Sequence, residues 1–148
     1  RGRPELRFTM AGDGEQLGSM KQLAADFGLA EVVDFPGFLD VAAVRALWAR
    51  SSVCALTSHS EPFGLVVLEA AQFGVPSVVF PNTGACEAMD SVRVAASTGE
   101  MARVVGEWVD DDARRERDGR QAAREVGDLT WSRAAQQVDG VLRGLCEG

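Results

Sequence analysis

The sequence predicts an α/β fold: a mainly parallel sheet with helices on both faces. Three observations lead there. Short β-branched runs alternate with stretches of helical periodicity over the first two thirds of the chain. The run VPSVVF at 75–80 is apolar almost without alternation, as a strand covered on both faces must be. The last third carries apolar stripes at helical spacing on otherwise charged segments, which suits helices that cover a sheet.

The elements follow in order. LRFTMA (6–11) reads as a strand that stops at Gly12-Asp13-Gly14, and EQLGSMKQLAADFG then places Leu17, Met20, Leu23, Ala24 and Phe27 at helical spacing. VVDF (32–35) gives a second short strand ended by Pro36-Gly37. VAAVRALWA (41–49) gives a short helix with Val44, Leu47 and Trp48 inward. SVCALTS (52–58) is the third strand. Pro62 suits the first turn of the next helix, which Leu65, Val66, Leu68, Ala70, Ala71 and Phe73 carry to Gly74, a natural stop. The buried strand VPSVVF follows, then a turn at Asn82-Thr83-Gly84 and a weak strand near 92–95. Two helical regions close the chain, with Val104, Val105, Trp108 and Val109 and then Val138, Val141, Leu142 and Leu145 as stripes. No internal repeat, low-complexity segment or linker is visible, so 1–148 reads as a single domain.

Composition excludes several classes. An apolar fraction of 46% with 25% charged residues is that of a globular domain, not of a disordered chain. No apolar run approaches the ~18 residues of a membrane span. Fifteen basic against twenty-two acidic residues give a net charge of −7, which argues against nucleic acid as a partner. Cys54, Cys86 and Cys146 are odd in number and lack metal-ligand spacing, so neither a disulfide framework nor a zinc site is expected and a reducing cytosol fits. Cys54 reads as a small core residue.

Three features could carry chemistry. Gly12, Gly14 and Gly18 after a strand, with Asp34 twenty residues beyond Gly14, mimic a dinucleotide fingerprint. The spacing is G-x-G-x-x-x-G, however, and Glu15 puts negative charge where a pyrophosphate would sit, so a tight turn into a helix capped by Asp13 or Glu15 is preferred. Asp110-Asp111-Asp112 contains a D-x-D pattern, but it precedes ARRERD and reads as a solvated helix terminus, not a metal site.

The third feature is SEPFGLVVLEAAQFGVPSVV (60–79). A helix over 62–73 would aim the free amides of Phe63, Gly64 and Leu65 beyond the strand ends, and Gly64 would admit a ligand closely. Glu61 stands just before that helix, ready to accept hydrogen bonds from hydroxyls. Glu69 is two turns in, among Val67, Leu68, Ala70 and Ala71, and a carboxylate held there away from water needs a partner. The bland alternative makes Glu61 a cap and Glu69 part of a polar edge with Gln72.

Residues 60–76 closely resemble the donor-binding motif of retaining glycosyltransferases of the GT-B fold, the large group 1 (family 4) class that also looks like the glycogen synthases. LRFTMAGDGE with QLAADFGL, VVDFPGFL, ALWARSSVCALTSHSEPFGLVVLEAAQFGVPSVV, TGACE and LTWSRAA follow the Rossmann-like C-terminal domain of that family in order. The resemblance implies a site residue by residue. Glu61 is expected to hydrogen-bond the donor sugar as the catalytic-centre glutamate, and Glu69 to hold the ribose. The amides of Phe63, Gly64 and Leu65 are expected at sugar hydroxyls and the distal phosphate, Gly37, Phe38 and Leu39 at the base, and Gly12 and Gly14 at the mouth. His59 reads as loop or rim.

Three departures accompany the resemblance. The strand and helix that open the family's C-terminal domain, with the arginine and lysine that neutralise the departing diphosphate, have no counterpart here. The acceptor-binding N-terminal domain has none either, so transfer by this chain alone is not expected. Gly-Gly-x-x-Glu appears as Thr83-Gly84-Ala85-Cys86-Glu87, with a short loop after Asp90. Without the first strand, strands 7–11 and 52–57 either pair with each other or leave an open edge that invites dimerisation, at reduced stability.

The resemblance thus implies the donor-binding part of a glycosyltransferase that takes a nucleoside-diphosphate sugar, needs no cofactor or metal, and serves a sugar, lipid-linked or small-molecule acceptor held by the N-terminal domain. It would be cytoplasmic, with the full-length enzyme at the membrane periphery as an option. A sugar-nucleotide epimerase of the same fold and a non-catalytic nucleotide-binding module are the alternatives.

Overall fold

The computed structural model describes residues 6–58 and 60–146; His59 lies outside the described residues. Contacts divide the chain into two compact units, Arg1–Leu47 and Trp48–Gly148, with the boundary inside a helix rather than at a linker. Each unit is α/β with parallel strand pairing, as the alternating sequence pattern requires.

The first unit holds β1 (Phe8–Ala11), α1 (Leu17–Asp26), β2 (Val33–Gly37) and most of α2 (Val41–Trp48). β1 and β2 pair in parallel, Phe8 opposite Val33 and Thr9 opposite Asp34, until an irregularity sets Ala11 opposite Gly37. That slip lets β2 run through Pro36-Gly37, where the sequence predicted its end. Only Ala24 of α1 is buried, and Phe8 and Met10 on β1 are about half exposed. Neither Asp13 nor Glu15 caps α1: Gln16 is the N-cap without a side-chain bond, and Asp13 instead accepts from the Gly14 amide at 2.8 Å. Asp40 caps α2 through the Ala43 amide at 2.8 Å.

The second unit is built around β4 (Ser77–Val79), buried throughout, which pairs in parallel with β3 (Cys54–Leu56) on one side and β5 (Arg93–Val94) on the other. Strand alternation sends consecutive valines to opposite faces. Val79 packs with Val67 and Ala71 of α3 (Leu65–Gln72), Ala85 of α4 (Ala85–Ala88) and Ala122 of α6 (Asp112–Asp128). Val78 packs with Met101, Val104 and Trp108 of α5 (Thr98–Asp110). Helices on both faces are therefore realised here, and each fully buried aliphatic is worth ~1.5–3 kcal/mol. β1 and β3 do not pair with each other: β2 is the only strand neighbour of β1 and β4 the only one of β3, so both are edge strands among the described residues.

The chain after Gly99 breaks at Asp111, whose extended backbone (φ −132°, ψ 92°) ends α5 and whose carboxylate accepts from the Arg114 amide to start α6. The final helix, α7 (Trp131–Cys146), departs from expectation. It was expected to cover the sheet, yet none of its described side chains is buried: Val138, Val141, Leu142 and Leu145 are 60, 64, 56 and 75% exposed. Its amphipathic pattern was read correctly as a helix, but a stripe does not say what it packs against. No helix of the described residues is long and apolar enough to cross a membrane.

Candidate functional site

The site candidates of the second unit converge where β3 and β4 end. Pro62 does not open the helix; α3 starts three residues later, because Gly64 adopts the left-handed conformation (φ 83°, ψ 52°) and serves as the N-cap. A side chain at 64 is disfavoured twice, by that φ and by Thr83 Cγ2, which would stand 3.0 Å from a Cβ there and have to give way. The Gly64 amide is already engaged, donating to Glu61 Oε1 at 3.1 Å. The open amides at the helix start are therefore those of Leu65 and Val66, which meet no acceptor among the described residues, as the first turn of a helix dictates. The sequence reading did not place the Val66 amide at the helix start because it began the helix too early; a glycine two residues after proline was the available signal.

Glu61 is half-buried and fixed at both ends. Its backbone forms an isolated parallel bridge with Thr83, and its carboxylate holds Gly64. One oxygen is thus committed to the fold, and the other meets no partner among the described residues. Phe63 is exposed, its amide also meets no acceptor among the described residues, and its carbonyl accepts from the Ala85 amide at 2.7 Å, which ties this loop to the next.

Glu69 requires a correction. Its apolar sequence neighbours were expected to strip it of water, but its side chain is exposed. Leu65, Glu69 and Gln72, spaced i, i+4, i+7, share the outer face of α3, while Val67, Ala70 and Ala71 turn inward. No burial penalty therefore demands a partner. Glu69 does share a face with Leu65, about 6 Å along the axis from an open amide.

The candidates of the first unit gather at the C-terminal ends of β1 and β2. Gly12 (φ 137°) donates to the Gly37 carbonyl at 2.8 Å, joining the two loops directly. Gly14 (φ 151°) and Gly37 (φ 74°) likewise hold backbone conformations that disfavour side chains, with open space around all three. Phe38 is 80% exposed and Leu39 half-buried, so this loop presents an aromatic ring to solvent. Asp34 lies on β2, opposite Thr9.

Other titratable groups serve the fold. Burial pushes the Cys54 thiol up to about 11, an effect the nearby Ser77 hydroxyl only partly offsets, and burial also raises Cys86. Asp111 caps α6 and Asp112 pairs with Arg115 at 2.5 Å, so two acids of the Asp110–Asp112 run are engaged at the helix junction. No group of three or more His, Cys, Asp or Glu able to hold a metal occurs among the described residues. A shallow cavity of ≈230 Å³, lined by Phe80, Pro81, Asn82, Ala96, Ser97 and Thr98, lies at the exit of β4 and β5.

A left-handed N-cap glycine held by a preceding glutamate thus stands at the C-terminal end of a parallel strand. The profile of the family "Glycosyl transferases group 1" matches residues 1–125. The chain belongs to the group 1 glycosyl transferases. Within that family it is 33% identical over 138 residues to a glycogen synthase of Mycobacterium tuberculosis (strain ATCC 25618 / H37Rv), covering 89% of this chain and 33% of that protein. It is 31% identical over 153 residues to a D-inositol 3-phosphate glycosyltransferase of Streptomyces avermitilis, covering 94% and 33%. Its fold is that of solved GT-B glycosyltransferases: the crystal structure of Anabaena Alr3699/HepE in complex with UDP-glucose matches with a TM-score of 0.80 at 25% identity, over 96% of this chain and 42% of that one. This group 1 chain thus spans about a third of the length of these curated relatives.

Proposed function

We propose that this chain is the donor-binding part of a retaining, metal-independent, cytoplasmic glycosyltransferase that takes its sugar from a nucleoside diphosphate. The observation that carries the reading is the start of α3, where two open amides stand next to a glutamate with one committed oxygen and one free. Open amides at a helix N-terminus favour phosphate oxygens, and a fixed carboxylate beside them accepts from sugar hydroxyls. Glu61 then orients the sugar while the amides of Leu65 and Val66 take the distal phosphate, and Glu69 accepts from the ribose hydroxyls along the same helix face. Gly37, Phe38 and Leu39 are assigned to the base, with Gly12 and Gly14 lining the mouth of their own loop. Kinship supports the donor class: the Anabaena relative was solved in complex with UDP-glucose. Retention and independence from metal rest on the family resemblance.

In such a reaction the sugar–phosphate bond breaks as negative charge builds on the diphosphate, so groups that stabilise that charge lower the barrier. This chain supplies helix amides for it; the acceptor, a sugar, lipid-linked or small molecule, is assigned to the portion of the relatives that lies beyond the match. Calorimetric titration of the chain with UDP, GDP and ADP and with their glucose conjugates tests the reading. Saturable binding of one nucleotide series is expected, with Glu61→Gln weakening the conjugate more than the free diphosphate. Absence of binding by every nucleotide at millimolar concentration, from a folded chain, overturns it.

A further inference from the structure

We propose that Thr83 is a positioning residue for Glu61, setting how tightly the sugar end of the donor is held while leaving the nucleotide end untouched. The inference rests on the donor-site reading above and concerns a side chain outside the proposed ligand contacts. Thr83 is 3% exposed, and its hydroxyl is fixed by donation to the Phe80 carbonyl at 3.0 Å. With the hydroxyl so held, its methyl Cγ2 lies 3.0 Å from where a Cβ on Gly64 would be; Glu61 Cγ lies 3.5 Å from the same point. Methyl, glycine and the arm of the glutamate therefore meet at one place.

The backbones reinforce this contact. Glu61 bridges to Thr83, the Ala85 amide reaches the Phe63 carbonyl at 2.7 Å, and a Cβ on Gly84 would stand 2.4 Å from the Pro62 carbonyl oxygen. The two loops are pressed together from 61 to 85 with no room between them. The Thr83 methyl fills the space on the Cβ side of the one residue whose amide fixes Glu61 Oε1, so it limits the swing of Gly64 and thereby where the second carboxylate oxygen points. The Val66 amide lies within α3, and the Leu65 amide, in the peptide group it shares with Gly64, is held by the bond from the Val67 amide to the Gly64 carbonyl at 2.9 Å.

Thr83→Ser keeps the hydroxyl and deletes the methyl, while Thr83→Val keeps the shape and deletes the hydroxyl. Both are compared with the parent by thermal unfolding and by calorimetry with the nucleoside diphosphate and its glucose conjugate. The expected result is a folded Thr83→Ser chain whose affinity for the free diphosphate stays within ~2-fold while that for the conjugate falls ~5-fold or more, a coupling of the size neighbouring residues show. Glu61→Gln added to Thr83→Ser should then cost less than it costs in the parent. Thr83→Val, which keeps the methyl in a pocket with no room to rotate, should hold the conjugate-to-diphosphate affinity ratio within ~2-fold of the parent, and a selective loss of the conjugate there overturns the role of the methyl. Equal losses for diphosphate and conjugate, no loss in either, or full additivity with Glu61→Gln overturns the positioning role without touching the donor-site reading. A parent chain that binds no nucleotide takes both down.

Discussion

Gly119 of α6 rests directly on Gly74, the residue after the C-cap of α3: a Cβ on Gly119 would stand 1.9 Å from the Gly74 carbonyl oxygen. The contact sets how closely α6 approaches the helix that carries the site. Gly74 itself is left-handed (φ 69°), so its carbonyl cannot easily rotate away. Gly119→Ala gains helix propensity of about 1 kcal/mol but forces two backbones apart, an overpacking cost of about 1–3 kcal/mol or more. A net lower unfolding midpoint in urea is expected. Gly127→Ala in the same helix, where nothing lies within 4 Å, should be neutral or stabilising.

The indole nitrogen of Trp108, a fully buried side chain, donates to Asp118 Oδ2 at 2.8 Å, and Asp118 is held in turn by Arg114. Removing the acceptor leaves a buried donor unpaired. Asp118→Ala should cost ~1–3 kcal/mol in equilibrium denaturation, chiefly for that donor. Trp108→Phe in the Asp118→Ala background should recover part of the loss, because the donor is then gone as well.

The sequence was legible wherever local pattern and environment agree. VPSVVF had to be a fully buried strand, and Ser77, Val78 and Val79 are buried as one. Gly12, Gly37 and Glu61 fell at strand ends because a parallel α/β chain puts its loops there. Glu69 and α7 were misread for a shared reason: neighbours along the chain were taken for neighbours in space. A helix face separates Glu69 from Val67, and no pattern within residues 131–146 specifies the surface their apolar stripe seeks. Thr83 was read only as a turn residue, because its bridge to Glu61 depends on two loops distant in the sequence closing on each other.

Glu125 offers a pH-dependent test. Burial alone would raise its carboxyl, but hydrogen bonds from the Ser91 hydroxyl at 2.6 Å, the Ser91 amide at 3.0 Å and Gln121 outweigh it, so its ionised form is favoured and its pKa lowered from 4.5. A folded-state value below the unfolded one contributes stability that is present above the unfolded pKa and lost as pH falls through the folded one. The parent should therefore exceed Glu125→Gln in thermal midpoint at pH 7, and the gap should shrink progressively as pH falls below the unfolded carboxyl value of about 4.3. A gap that is constant between pH 7 and pH 3 counts against the hydrogen-bonded carboxylate.

Cys54 combines depth with a thiol pushed up to about 11, whereas reactivity toward alkylating agents needs an exposed thiolate. In the native chain at pH 8 it should resist iodoacetamide and become labelled only on unfolding, as mass spectrometry of its tryptic peptide would show. Cys54→Ala removes a small buried group beside Ala70 and Val75 and should cost ~1 kcal/mol.

The last helix gives the sharpest stability expectation. α7 presents Trp131 at 92% exposure and Leu145 at 75%, and contributes no buried side chain among those described. Burial is what ties a helix to a domain, and isolated 16-residue helices are marginal in water. Ending the chain at Asp128 should therefore leave the cooperative unfolding midpoint within ~2 °C of the parent, since a shift of 1 kcal/mol in a chain of this size moves it by several degrees. Helical signal in circular dichroism should fall while the transition stays in place. A drop of 5 °C or more would show that α7 packs on the domain after all, with its apolar stripe as the contact.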